Sequence, residues 1–315
     1  MGAETQASGD PVMDLIVFGT VYLEVVFGDL PALPRPGQEI YTDDFAFSVG
    51  GAAVTVATAA SRLGVLAGMS TLLGDDLGSR VAEQHCRRAG VDMSACRYVA
   101  GPVAGVSVAV NFDGDRAFIS HLPPRPAGER RDIRRWLEVL RERRPRWCYV
   151  HAGTGVAPFI RQAKALGAHV ALAVAHNDID ADAAAVVDCV RGADIFLTNE
   201  PELIQLTAAG SLAQATAAAT EWCPCVVVTR GADGAVVATP ENTTHVTDGV
   251  ERVQPRDRTG AGDAFAGALL GALCQGASIT EAAVAGNAAG SRTVTLLGAV
   301  GQVEVEGLSG EVPIR

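Results

Sequence analysis

The run Asp257-Arg258-Thr259-Gly260-Ala261-Gly262-Asp263 precedes a string of small residues, Ala264 to Leu273, that reads as a helix. Glycines at 260 and 262 let the main chain approach an anion closely. A helix starting there directs its first free N–H groups and its positive dipole end at that anion. Such a turn is a phosphate cradle that needs no lysine. Asp263 stands at the helix entrance, where an acid in the first turn also reads as an ordinary capping residue. The dinucleotide fingerprint G-x-G-x-x-G fits poorly, because the third glycine is displaced to Gly267.

A second group, Asn199-Glu200-Pro201-Glu202, follows the apolar stretch Ile195 to Leu197. In open α/β sheets the carboxyl ends of strands are where ligands bind. Asn199 and Glu202, three apart, fall on one side of a helix start. There they are suited to hold the water shell of Mg²⁺, with helix capping by Asn199 as the structural alternative.

Lys164 is the only lysine, and its surroundings, Phe159 to Gly167, read as an amphipathic helix that leaves it on a solvated face. Chemistry built on a Schiff base, a P-loop lysine or a protein-kinase lysine is thereby excluded. The 315 residues are 48% hydrophobic and carry a formal charge of −11, which implies one large core and argues against nucleic acid or an anionic membrane as partner. No apolar stretch is long enough to span a bilayer, and residues 1–11 lack a signal-peptide pattern, so a cytoplasmic protein is expected. Its seven cysteines form no disulfide framework, and Cys223-Pro224-Cys225 has neither zinc nor redox spacing.

The elements that must position these groups follow from periodicity. Leu15 to Phe18 is a continuous apolar run suited to a strand buried on both faces. Tyr22 to Phe27 and Glu39 to Phe47 are β-prone, separated by the proline-rich 30–37 connection. Val106 to Asn111 and Arg116 to Ser120 flank Asp113-Gly114, a hairpin signal. Together these predict a small accessory sheet. After Gly50-Gly51 a helix runs to Arg62-Leu63-Gly64, and from Val65 to Thr229 strands and helices alternate, the rhythm of a parallel sheet covered on both faces. Arginines crowd residues 123–146, but interleaved acids and the spacing of Ile133, Trp136, Leu137 and Leu140 predict a solvated amphipathic helix.

The chain resembles the ribokinase-like (PfkB) carbohydrate kinase family along nearly its whole length. The landmarks are Gly19, Gly50-Gly51, Arg62-Leu63-Gly64, Leu73 to Gly78, Gly90-Val91, Asn199 to Glu202, Thr229 to Gly231 with Gly234, Asp257 to Phe265, and Asn287-Ala288-Ala289. The resemblance implies a three-layer α/β fold, residues 1–315 as a single domain, with a central, mostly parallel sheet. Segments of roughly 20–48 and 104–121 would form a β lid. It implies ATP as donor, Mg²⁺, a sugar or nucleoside acceptor, and a homodimer made through the lid.

Carried over residue by residue, the resemblance makes Asp263 the base, and Gly260, Ala261 and Gly262 the amides that stabilise phosphate charge. Asn199 and Glu202 hold Mg²⁺ through water. Thr229, Gly231 and Gly234 line the nucleotide pocket, Asn287 lies near adenine, and Asp257 with Thr259 marks a monovalent-cation site, K⁺ being the candidate. Gly50, Gly51, Thr55 and Glu24 face the acceptor. At that end the sequence departs from the family pattern: Glu24 stands where an aspartate is usual, Thr55 where an asparagine is, and Ala52 where sugar-phosphate kinases often carry lysine. A neutral polyol is therefore expected in preference to a phosphosugar. The functional alternatives are a nucleoside kinase of the same fold, or a catalytically weak binding or regulatory homologue.

Overall fold

The computed structural model describes residues 13–112, 115–124 and 132–304. The chain opens with β1 (Leu15–Phe18), enters β2 (Tyr22–Leu30) and β3 (Phe45–Gly50), and continues into α1 (Ala52–Ser61). Then come β4 (Ala67–Ser70), β5 (Leu72–Leu73), α2 (Leu77–Arg88), β6 (Arg97–Tyr98), β7 (Gly105–Phe112) and β8 (Asp115–His121). Alternation follows through α3 (Ile133–Arg143), β9 (Trp147–His151), α4 (Ala157–Ala165), β10 (His169–Ala173), α5 (His176–Val190) and β11 (Ile195–Asn199). The chain closes with α6 (Glu200–Thr207), α7 (Leu212–Thr220), β12 (Val226–Thr229), β13 (Ala235–Ala238), β14 (Thr243–Val246), α8 (Ala261–Cys274) and α9 (Ile279–Thr293).

Eight strands form one sheet in the order β14-β13-β12-β11-β10-β9-β1-β4. From β4 through β12 the neighbours run parallel, and β13 and β14 add an antiparallel edge. Both faces are covered. One core cluster joins Leu15, Val17 and Tyr149 to α1, α8 and α9, and the other joins Ile16, Phe18 and Val150 to Trp136, Phe159 and Leu203 on the opposite helices. Alternate residues of a strand thus feed alternate layers, which is why β1 and β12 have no solvated face. α1 and α8 approach closely because Gly267 has no side chain; a methyl there would overlap the Val56 carbonyl.

The second sheet, in the order β3-β2-β7-β8, is the lid. Glu24 is paired with Ser48 and Ser107, while Val25 is paired with Phe47 and Val108. With a period of two, Glu24 faces one side together with Val26, Ala46 and Ala109. The last three pack on Leu297. Phe27, Phe45 and Phe47 take the other side, where Phe45 lies 5.2 Å and 5.1 Å from the other two rings.

Several sequence expectations shift here. The β-prone stretch from Glu39 becomes strand only at Phe45, because Thr42 and Asp44 form a polar turn in which Thr42 Oγ1 donates to the Gly28 carbonyl and the Asp44 N–H donates to Thr42 Oγ1. β13, β14 and α9 carry none of the strand or helix signals described above. The proposed hairpin turn Asp113-Gly114 lies outside the described residues, but its flanks pair as expected, Phe112 opposite Asp115. Of the arginine-rich stretch, residues 125–131 lie outside the described residues; α3 buries Trp136, Leu137 and Leu140 as its spacing predicts.

Candidate active site

α8 begins where Gly260 adopts φ 74°, the left-handed region, as its N-cap. A Cβ at Gly260 would also come within 2.5 Å of Ala299 Cβ, so glycine is demanded twice, by conformation and by contact. The first-turn amides are mostly uncommitted. Among the described residues the N–H groups of Gly262 and Asp263 make no main-chain hydrogen bond, while that of Ala261 makes a long one, 3.4 Å, to the Arg258 carbonyl. These are the free donors that a helix start offers to an anion.

Asp263, partly buried in the first turn of α8, has one side-chain partner among the described residues: Tyr149 Oη donates to its Oδ1 at 3.3 Å. Burial raises its pKa above the ordinary carboxylate value, against the opposing pull of His151 and of the Tyr149 hydrogen bond. Tyr149 is buried on β9, and its hydroxyl also lies 3.1 Å from His151 Nε2.

The loop before α8 is organised by Asp257. Its buried carboxylate accepts from Thr259 N at 2.9 Å and Thr259 Oγ1 at 2.7 Å through Oδ1, and from Gly298 N at 2.8 Å through Oδ2. The next residue, Ala299, donates its N–H to Glu24 Oε2 at 3.0 Å. Glu24 therefore reaches from the lid onto the same loop that packs against Gly260. It is 6% exposed, not a solvated lid residue. Burial pushes its pKa from 4.5 up to about 7; the Ala299 N–H opposes that rise, and Asp257 and Asp263 add to it. Gly50, opposite Tyr22 in the lid, leaves room for this carboxylate, since a methyl there would overlap Glu24 Oε1. Gly51 caps α1, and Thr55 on α1 is buried with no hydrogen-bond partner for its hydroxyl among the described residues.

Asn199 and Glu202 cap α6 reciprocally. Asn199 Oδ1 accepts from Glu202 N at 2.9 Å, and Glu202 Oε2 accepts from Asn199 N at 3.1 Å and from Thr198 Oγ1 at 3.3 Å. Capping and ligand binding are compatible here, because the box engages one oxygen of Glu202 and leaves Oε1. Burial raises the Glu202 pKa, with the Asn199 and Thr198 hydrogen bonds and His151 opposing it.

The remaining predicted residues form a neighbouring group. Thr229 ends β12 with its hydroxyl 3.4 Å from the Thr198 carbonyl, and Gly231 and Gly234 frame the turn into β13. Asn287 is buried, donating Nδ2 to the carbonyls of Val246 at 3.0 Å and Asp248 at 2.9 Å; it anchors the loop after β14. Lys164 ion-pairs with Asp194 at 2.8 Å, beside the amino end of β11 and away from this site.

Glu24, Asp257, Asp263 and the Asn199–Glu202 pair therefore converge at the carboxyl ends of the strands. Sequence reasoning missed Tyr149 and His151. The signal was present: in Trp147-Cys148-Tyr149-Val150-His151 the alternate residues share one face, at the carboxyl end of a strand.

The family model described as pfkB family carbohydrate kinase matches residues 14–305. Among curated relatives, the aminoimidazole riboside kinase of Salmonella typhimurium is 28% identical over 271 residues, 80% of this chain and 83% of its own length. An ATP-dependent ribose-1-phosphate kinase of Halopiger xanaduensis is 30% identical over 265 residues, 80% and 82% of the two chains. In fold, the chain is similar to a putative ribokinase II from E. coli solved with ATP and Mg²⁺, with a TM-score of 0.76 and 21% identity over 91% of this chain and 94% of that one.

Proposed function

This chain belongs to the pfkB family of carbohydrate kinases, and from that premise we propose that it moves the γ-phosphoryl group of ATP onto a hydroxyl of a neutral sugar, with Asp263 as the proton acceptor. The observation that carries the reading is the first turn of α8, where uncommitted amides and a carboxylate share one helix entrance. Phosphoryl transfer is chiefly positioning and charge stabilisation, so this chain's residues divide the work.

Glu24 accepts hydroxyl hydrogens of the acceptor, Gly50 and Gly51 leave it room, and Thr55 offers its unpartnered hydroxyl. Asp263 takes the proton of the attacking hydroxyl as its oxygen bonds to phosphorus. The amides of Gly260, Ala261 and Gly262 face the transferred phosphoryl oxygens, Ala261 by giving up its long bond to Arg258. Thr229, Gly231 and Gly234 line the nucleotide, and Asn287 acts there by fixing the 246–248 loop. The donor set of Asn199 and Glu202, with Glu202 Oε1 left by the capping box, fits a hydrated Mg²⁺. When bound, Mg²⁺ neutralises phosphate charge. K⁺ beside Asp257 and Thr259 would have one acceptor site left on Asp257, at Oδ2, which accepts only the Gly298 N–H, and would otherwise rely on main-chain oxygens.

A phosphorylated acceptor is disfavoured by the carboxylates of Glu24, Asp257 and Asp263 around one loop. Phe27, Phe45 and Phe47 lie on the lid face away from Glu24 and give no stacking surface to an acceptor, whereas the exposed Phe118, paired with Ala109, shares the Glu24 face, so a nucleoside stays the alternative to a free sugar. The face away from Glu24 exposes Phe45 and Ile119. A second copy of the chain covering it would make the homodimer, which the mass in solution tests. Among the described residues no helix is long and apolar enough to cross a membrane, and the cysteines are all free thiols, which supports a cytoplasmic setting.

The test is ADP release with Mg²⁺-ATP over a panel of pentoses, hexoses, aminosugars and nucleosides, using the wild type and Asp263→Asn. The variant should bind ATP normally while turnover falls by about 10²–10⁴-fold or more, the range set by loss of a positioned base. Turnover kept within a few-fold would overturn the assignment of the base.

A further inference from the structure

A tyrosine hydroxyl has one proton to give. Tyr149 Oη donates to Asp263 Oδ1, so its contact with His151 Nε2 at 3.1 Å must be one in which the imidazole is the donor. That fixes the proton of His151 on Nε2. The resulting chain runs in one direction, from imidazole N–H to phenol oxygen and from phenol O–H to carboxylate.

The two rings meet edge to face, with centroids 5.7 Å apart, and both project from one face of β9, the face on which α8 packs. Tyr149 is 1% exposed, so its hydroxyl has no water to fall back on. Oδ2 of Asp263 has no hydrogen-bond partner among the described residues. The structure assigns to Tyr149 and His151 a positioning role: together they hold Asp263 by Oδ1 and so turn its Oδ2 toward the acceptor hydroxyl. The inference rests on the kinase reading with Asp263 as base. The Tyr149–Asp263 bond is long at 3.3 Å, as catalytic hydrogen bonds often are before substrate tightens them.

The same chain bears on the charge of the base. The groups that bear on it electrostatically are Tyr149 and His151 from β9, Glu24 from the lid and, through Tyr149 and His151, Glu202 from α6. A phenol donating to the ionised carboxylate favours its charged form, and removing that donor disfavours it. The acid limb of the pH–rate profile therefore moves to higher pH when the donor is lost.

Tyr149→Phe keeps the ring in the core and deletes only the hydroxyl. The expected result, measured by ADP release with saturating Mg²⁺-ATP, is a fall in kcat of about 10- to 100-fold, the span implied by one hydrogen bond to a charged group. The KM for ATP should stay unchanged, and the acid limb should rise. His151→Gln, whose amide can still donate to the phenol, should keep more activity than His151→Ala. In an Asp263→Asn background Tyr149→Phe should add little. If Asp263→Asn abolishes turnover while Tyr149→Phe leaves kcat and the acid limb as in wild type, the positioning role is wrong and the base stands. If Asp263→Asn stays active, Asp263 is not the base, and the positioning role built on it fails with that assignment. Equal losses in His151→Gln and His151→Ala would remove His151 from the chain.

Discussion

Replacing Glu24 by glutamine isolates a carboxylate whose pKa burial pushes up to about 7. The native protein holds the Glu24 proton up to about pH 7, whereas the unfolded chain releases it near 4.5. Between those values the native state binds more protons, so stability falls as pH rises. The stabilisation is fully present below 4.5 and lost by passage through about 7. A rise from 4.5 to about 7, at about 1.4 kcal/mol per pH unit, amounts to about 3 kcal/mol. Glutamine never ionises, and its carbonyl can still accept the Ala299 N–H.

Urea unfolding of both proteins at pH 5 and at pH 8.5 reads this directly. All other titrating groups are common to the pair, so the difference between the proteins reports position 24. Glu24→Gln should gain on the wild type by about 2–3 kcal/mol between the two pH values. A difference that stays constant within about 0.5 kcal/mol would refute the claim that this carboxylate is buried and neutral at low pH. The kinetic counterpart has the opposite sense. Wild-type kcat/KM for the acceptor should rise through about pH 7 as Glu24 gains its charge, and the variant should lack that limb.

Two further outcomes follow from contacts described above or adjoining them. Gly50→Ala would force the Glu24 carboxylate aside; it should cost about 1–3 kcal/mol in unfolding and raise the acceptor KM while leaving the KM for ATP unchanged. Asp76, the N-cap of α2, accepts from Ser79 N at 2.9 Å, Ser79 Oγ at 2.8 Å, Val103 N at 2.8 Å and Ala104 N at 3.3 Å, tying α2 to the entry of β7. Asp76→Ala should cost about 2 kcal/mol near neutral pH. Although burial raises it, the net effect of these bonds is to lower the Asp76 pKa below 3.8. Its contribution is therefore present above that value and fades as pH falls through the lowered one, and the deficit of Asp76→Ala should shrink in acid.

Local chemistry made much of the frame readable. Leu15–Phe18, Trp147–His151 and Val226–Thr229 are strands with the limits their apolar runs suggest, and α8 starts at the glycine turn that its composition announces. The antiparallel edge was not readable. Ala235–Ala238 is as apolar as a parallel strand, and only its pairing with β12 gives its direction. Glu24 shows the same limit at the site. In a lid strand a charged residue reads as solvated; the loop that packs over it donates the N–H of Ala299, 275 residues away. Tyr149 likewise passes for core until α8 brings a carboxylate to its hydroxyl.

The distribution of charge explains how such a site can work without lysine. Asp257 is satisfied by N–H and O–H groups, Glu202 is partly engaged in a cap, and Glu24 is half neutral near pH 7. Because Glu24 is only partly ionised at neutral pH, the cleft is less negative there than its count of acids suggests, which suits the proposed placement of a polyphosphate beside Asp263. Main-chain amides have an advantage over a side-chain cation here: they cannot ion-pair with these carboxylates and be withdrawn from the phosphate. The glycine turn at 260–262 is thus suited to a site that must also carry a base and an acid for hydroxyl recognition within one loop's reach.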